Sequence, residues 1–188
     1  MLLAGGGGWS RRLRETGGAQ LLEFAFAMPF LVVIAVGVLD FGQAYNLKHI
    51  LTNAAREAAR ITVSNPLTDS SSNCQSASPP CSIQAAADAA MKYMTNAGLS
   101  AASCIAPASP SGSGTLTWTY SCSSITLTIN RGYVFTATGG SIVVPSTQVT
   151  LSYPYPWTLG RIIGLMVKGA TFSLPATLTT NVVMENVS

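Results

Sequence analysis

Residues 21–39 read LLEFAFAMPFLVVIAVGVL, and Glu23 is the one charge among them. The uninterrupted apolar part, 24–39, makes about 24 Å of helix at roughly 1.5 Å per residue. That is short of a hydrocarbon core of about 30 Å. Adding Leu21, Leu22 and residues 41–45 lengthens it to a membrane-spanning helix over residues 19–45, with Asp40 near the far interface. A buried core helix fits less well, because a segment apolar on all sides has little to bury against in a domain this small. A cleaved secretory signal also fits less well. The small-x-small pattern after Leu39 is not clean, Gly42-Gln43-Ala44 being the nearest, and the helical pattern runs on past it.

Outward from the span, the charges give an orientation. Residues 1–18 carry Arg11, Arg12, Arg14 and Glu15. Basic residues are retained on the cytoplasmic side, so 1–18 is expected as a cytoplasmic leader with the bulk of the chain outside. All four cysteines, Cys74, Cys81, Cys104 and Cys122, follow the span, as befits an oxidising compartment. Four cysteines permit three connectivities. The local pairing, Cys74–Cys81 with Cys104–Cys122, is favoured because each pair brackets a Ser/Pro/Gly-rich loop. Free buried thiols are the alternative. Zinc fits less well, since there is no CxxC and His49 is the only histidine.

The whole composition agrees. Of 188 residues, 9% are charged and 48% apolar, and mean hydropathy is +0.37. Disordered chains are charge-rich and apolar-poor, so that class is excluded, and an ordinary cytosolic enzyme is disfavoured. A net charge of +3 gives no basic footprint for nucleic acid.

The boundary between leader and span reads Thr16-Gly17-Gly18-Ala19-Gln20-Leu21-Leu22-Glu23-Phe24. An ionisable group inside a membrane segment costs about 3 kcal/mol at the helix centre and less near an end, so Glu23 is a functional candidate. The pattern resembles the prepilin signal of type IV pilins and pseudopilins: a basic leader, a glycine, a cut, and a glutamate at the fifth mature position. The resemblance implies cleavage by a prepilin peptidase between Gly18 and Ala19. It also implies that Glu23 is the assembly glutamate, neutralising the new α-amine of a neighbouring subunit. The alternative is an uncleaved anchor whose Glu23 snorkels to the interface.

Residues 46–63 read NLKHILTNAAREAARITV. Leu47, Ile50, Leu51, Ala54, Ala58 and Ile61 recur at three- and four-residue spacings, which predicts an amphipathic helical stem over 46–64. Glu57 and Arg60 are spaced to pair, and Pro66 supplies a stop. With the span, this stretch resembles the TadE-like family of tight-adherence (Flp) pilus assembly proteins. The shared features are Glu23-Phe24, Pro29, the Gly37-x-x-Asp40-Phe41-Gly42 end, and the stem motif Asn53-Ala54-Ala55-Arg56-Glu57-Ala58-Ala59-Arg60. The family implies a minor pilin or pseudopilin in the bacterial cytoplasmic membrane, acting in pilus assembly. Its implied partners are other pilins, the assembly machinery, the prepilin peptidase and the lipid bilayer.

Residues 65–188 are expected to form the exported head. Residues 82–98 read as a short helix, with Ser82 as cap and Gly98 as stop. Strand patterns follow at 115–120, 125–130, 133–138, 142–144, 147–153 and 171–184, the first two as a hairpin through 121–124 and the last interrupted by Pro175. Residues 157–169 (WTLGRIIGLMVKG) are apolar with two cations. They read equally as core or as an amphipathic piece on lipid or another subunit. The expected fold class is therefore α+β and pilin-like, a long N-terminal helix and stem before a small antiparallel sheet head with a short helix.

No G-x-S-x-G, HExxH or P-loop is present. No catalytic residue, metal site or cofactor is expected. The rival to the pilin reading is an uncleaved, membrane-anchored surface binding or adhesion module, with Tyr133, Tyr153, Tyr155 and Trp157 as contact candidates.

Overall fold

The computed structural model describes residues 9–64, 74, 79–99, 109–110, 116–122, 125–136, 143–166 and 175–186. Among these, the side chains of 9–17, 109, 110, 122, 165 and 166 are not described. The order is α1 (Trp9–Ser64), α2 (Cys81–Asn96), β1 (Ser109–Pro110), β2 (Thr117–Cys122), β3 (Ile125–Thr136), β4 (Val143–Pro154), α3 (Thr158–Met166) and β5 (Thr177–Glu185). This is the expected α+β plan. The chain divides into two compact units, residues 1–42 with 157–174, and residues 43–156 with 175–188.

α1 is continuous through Pro29. It starts within the basic leader and includes a segment long and apolar enough to cross a membrane. In the first unit it is accompanied by α3, so residues 158–166 of the ambiguous apolar segment are helical.

The second unit is built on a meander. Its strands lie in the order β1-β2-β3-β4-β5, all antiparallel. Side chains alternate between the two faces of a strand. Trp118 and Tyr120, Ile125, Leu127 and Ile129, and Val149 and Leu151 all point to one buried face. The stem supplies Leu47, Leu51, Ala54, Ala55, Ala58 and Ala59 to the same core. α2 supplies Ile83, Ala86, Ala87, Ala90, Met91 and Met94. On the other face, hydroxyls replace charges: Thr119 meets Thr128 at 3.4 Å and Ser152 meets Thr179 at 3.0 Å.

Several local expectations are corrected. Residues 133–136 are not a separate strand; they continue β3 through a bulge between Asn130 and Tyr133. There the Asn130 Oδ1 accepts from the Gly132 N–H at 2.9 Å, an Asx-type bond that lets the chain absorb an extra residue. Residues 143–144 and 147–153 likewise merge into β4. β5 runs from Thr177 to Glu185, after the interruption at Pro175, and residues 171–174 lie outside the described residues. β1 is a two-residue strand with no counterpart among the expected ones, Ser109 pairing with Thr119 and Pro110 with Trp118. Cys122 ends β2 opposite Ile125 instead of sitting in the turn.

Ser82 does not cap α2. Pro80 is the N-cap, and its carbonyl accepts from the Ile83 and Gln84 N–H groups at 3.0 Å. Ser82 is buried inside the helix, where its hydroxyl accepts from Arg131 at 3.2 Å. At the other end Gly98 takes φ +82°, and the Leu99 N–H returns to the Met94 carbonyl at 3.0 Å. That left-handed stop is a conformation glycine adopts without a Cβ penalty.

Candidate assembly site

In the first unit, every residue from Gly18 to Met28 is exposed, Ala19 and Glu23 among them. The apolar side chains are as open as the charged ones: Leu21 is 71% exposed, Phe26 71% and Phe30 74%. A soluble helix hides such a face. Along residues 18–42 only Asp40 is buried, and only Pro29, Val33, Val36 and Gly37 are half-buried. These positions recur every three to four residues in line with Asp40 and so share one side of α1.

α3 docks at Asp40. The Oδ2 of Asp40 accepts from the Thr158 N–H and the Leu159 N–H, each at 2.8 Å. Its Oδ1 accepts from the Thr158 hydroxyl at 3.1 Å. The first N–H groups of a helix lack intrahelical partners, and the helix start carries partial positive charge. A carboxylate answers both needs. Leu159 packs on Gly37, where an added Cβ would meet its methyls at 3.9 Å. Trp157 meets Phe41 edge-on with centroids 5.4 Å apart. Gly37, Asp40 and Phe41 of the family's end motif are thus the residues that receive α3. The sequence flagged the motif, but nothing local to Asp40 announced its partner.

In the second unit, the stem motif splits by face. Ala54, Ala55, Ala58 and Ala59 are fully buried. Asn53, Arg56, Glu57 and Arg60 line an open groove of about 430 Å³ with Lys92, Tyr93, Asn96 and Met184. Arg60 donates to Glu57 through Nε at 3.0 Å and Nη2 at 2.6 Å. That bond holds the Glu57 carboxyl below its ordinary range. Exposed pairs of this kind contribute little to stability. Lys48 donates to the Thr179 carbonyl, and the Thr52 and Thr180 hydroxyls lie 3.1 Å apart. The stem is thereby tied to β5.

Cys74 and Cys81 form a disulfide. Cys104 and the Cys122 side chain lie outside the described residues. The aromatic candidates for a binding face are dispersed. Tyr153 and Tyr155 line a smaller groove of about 290 Å³ with Leu47, Ile50 and Leu99. Tyr133 lies opposite Ser146, well along the ladder from Tyr153, and Trp157 belongs to the first unit. His49 stacks edge-on with Tyr45 at 4.4 Å. Among the described residues no three His, Cys, Asp or Glu side chains are grouped to hold a metal.

No curated protein and no solved structure matches the chain significantly. The family model for TadE-like protein matches residues 18–60. That stretch runs from the glycine before Ala19 to the last arginine of the stem motif, and it includes the face that receives α3. Over these residues the chain carries a TadE-like segment.

Proposed function

We propose that this protein is a minor pilin or pseudopilin of a tight-adherence pilus or related secretion system. Residues 19–45 anchor it in the cytoplasmic membrane, with residues 1–18 on the cytoplasmic side and the head exported. The observation that carries this reading is the open apolar surface of α1 over residues 21–39 of the TadE-like segment, where Glu23 is the one charge. Such a surface is covered by lipid before assembly and by neighbouring helices after it. A prepilin peptidase cuts between Gly18 and Ala19. The carboxylate of Glu23 then neutralises the α-amine of a neighbouring subunit, because an unpaired charge in that environment is costly. The exposed position of Glu23 is compatible with an intermolecular partner.

N-terminal sequencing of the protein extracted from membranes tests the cleavage. A mature chain beginning at Ala19 is expected. A chain still beginning at Met1 in cells that make active prepilin peptidase overturns it and favours the uncleaved surface module.

A further inference from the structure

Residues 157–166 sit in the connection between β4 and β5, and the Tyr155 N–H bonds the Ala176 carbonyl at 3.0 Å across its neck. A two-strand hairpin needs only a few residues to turn, so an excursion of this length calls for a purpose. Its placement in the first unit suggests one. α3 begins beside Asp40, and Leu159 rests on Gly37, about one helical turn inside the apolar run.

At that same level the other sides of α1 present Ile34 at 62% exposure, Val38 at 67% and Leu39 at 65%. Whatever medium covers these side chains also meets α3. The chemistry of α3 suits the boundary layer of a bilayer. Its one charge is Arg161, which is exposed, and the sequence holds no acidic residue between Asp88 and Glu185. Leu159 and Ile163 lie on the side away from Arg161. The Thr158 and Leu159 N–H groups at the start of α3 are satisfied by Asp40 instead of water, which suits a helix end at a membrane.

We propose that α3 is a second membrane contact, lying in the interfacial layer at the Asp40 end of the span, latched to α1 by Asp40, with Arg161 reaching anionic lipid headgroups. This rests on the membrane anchor proposed above. The cation on a polar face beside apolar residues follows the pattern of helices that lie in that layer, and each basic residue gains attraction from anionic lipid.

The test uses the full chain in vesicles of phosphatidylcholine with a minority of phosphatidylglycerol. An environment-sensitive dye is attached at Gly164→Cys, at Phe30→Cys as the span control, and at Tyr93→Cys as the head control. The unaltered chain sets the background from native cysteines. Nothing lies within 4 Å of a Cβ built at Gly164, so the substitution disturbs no packing. Quenching lipids carry doxyl either near the headgroup or deep in the acyl chain.

The expected result is loss of emission at Gly164→Cys with the shallow quencher, at Phe30→Cys with the deep one, and at Tyr93→Cys with neither. If Phe30→Cys is quenched and Gly164→Cys is not, the anchor stands and the inference fails. That holds even if the dye at Gly164→Cys is blue-shifted, since protein would then be what covers α3. Stronger quenching of Gly164→Cys by the deep probe overturns the interfacial placement. If neither site is quenched, the anchor itself is overturned.

Discussion

Asp40 and Thr158 are 118 residues apart in sequence, yet the Asp40 carboxylate accepts both the backbone N–H of Thr158 at 2.8 Å and its hydroxyl at 3.1 Å. One acid at the end of the apolar run thus holds the first turn of a helix that follows four strands of the sheet in sequence. Asp40→Ala is expected to speed hydrogen exchange at Thr158 and Leu159, with the local opening energy falling by about 1–3 kcal/mol for donors left without a partner. Asp40→Asn keeps one acceptor oxygen, and its effect should lie between the two. Unchanged exchange in Asp40→Ala would remove the latch role.

The buried alanine face of the stem predicts intolerance to size. Ala55 is fully buried against the head core, and Ala55→Leu forces extra volume into it. Destabilisation of about 1–3 kcal/mol is expected, read as a lower denaturant midpoint in detergent. The neighbouring Arg56 is exposed, and Arg56→Leu should change stability by no more than about 0.5 kcal/mol. Equal effects at both positions would contradict the assigned faces.

Tyr120 predicts an alkaline signature. Burial, and then the Asp88 charge, push its phenol up to about 12, and its hydroxyl donates to Gln84 at 3.3 Å. The raised value means that the unfolded chain loses this proton first. The stabilising contribution is therefore complete below the ordinary tyrosine pKa of about 10 and is lost as pH rises through about 12. An ultraviolet titration should show a late-ionising phenol that disappears in Tyr120→Phe. An identical late phase in that variant would assign it elsewhere.

Glu23 predicts a defect in assembly without a defect in insertion. Glu23→Ala should still enter the membrane and still be cut after Gly18, while surface assembly is lost, measured by fractionation of sheared pili. Normal assembly in that variant would count against pairing with a neighbouring α-amine.

The sequence by itself determined the long helix, its apolar span and the two faces of its stem, because these depend on spacings of three and four residues within one element. The same local logic located α2, its glycine stop and the centres of β2 to β5. Asn130 and Gly132 show where it stopped: a bulge keeps β3 running where alternation alone read two strands, since register belongs to the pair of strands. Ser82 shows it again, as a cap by residue type that tertiary packing placed inside α2 beside Arg131. Only the tertiary structure decided what Asp40 does and where α3 lies. A carboxylate's partners are set by which backbone donors the fold brings within 3 Å or so, and at 118 residues' separation no periodicity carries that information. The apolar segment after Trp157 was equally suited to core or to a surface until Asp40 fixed its first turn beside the span.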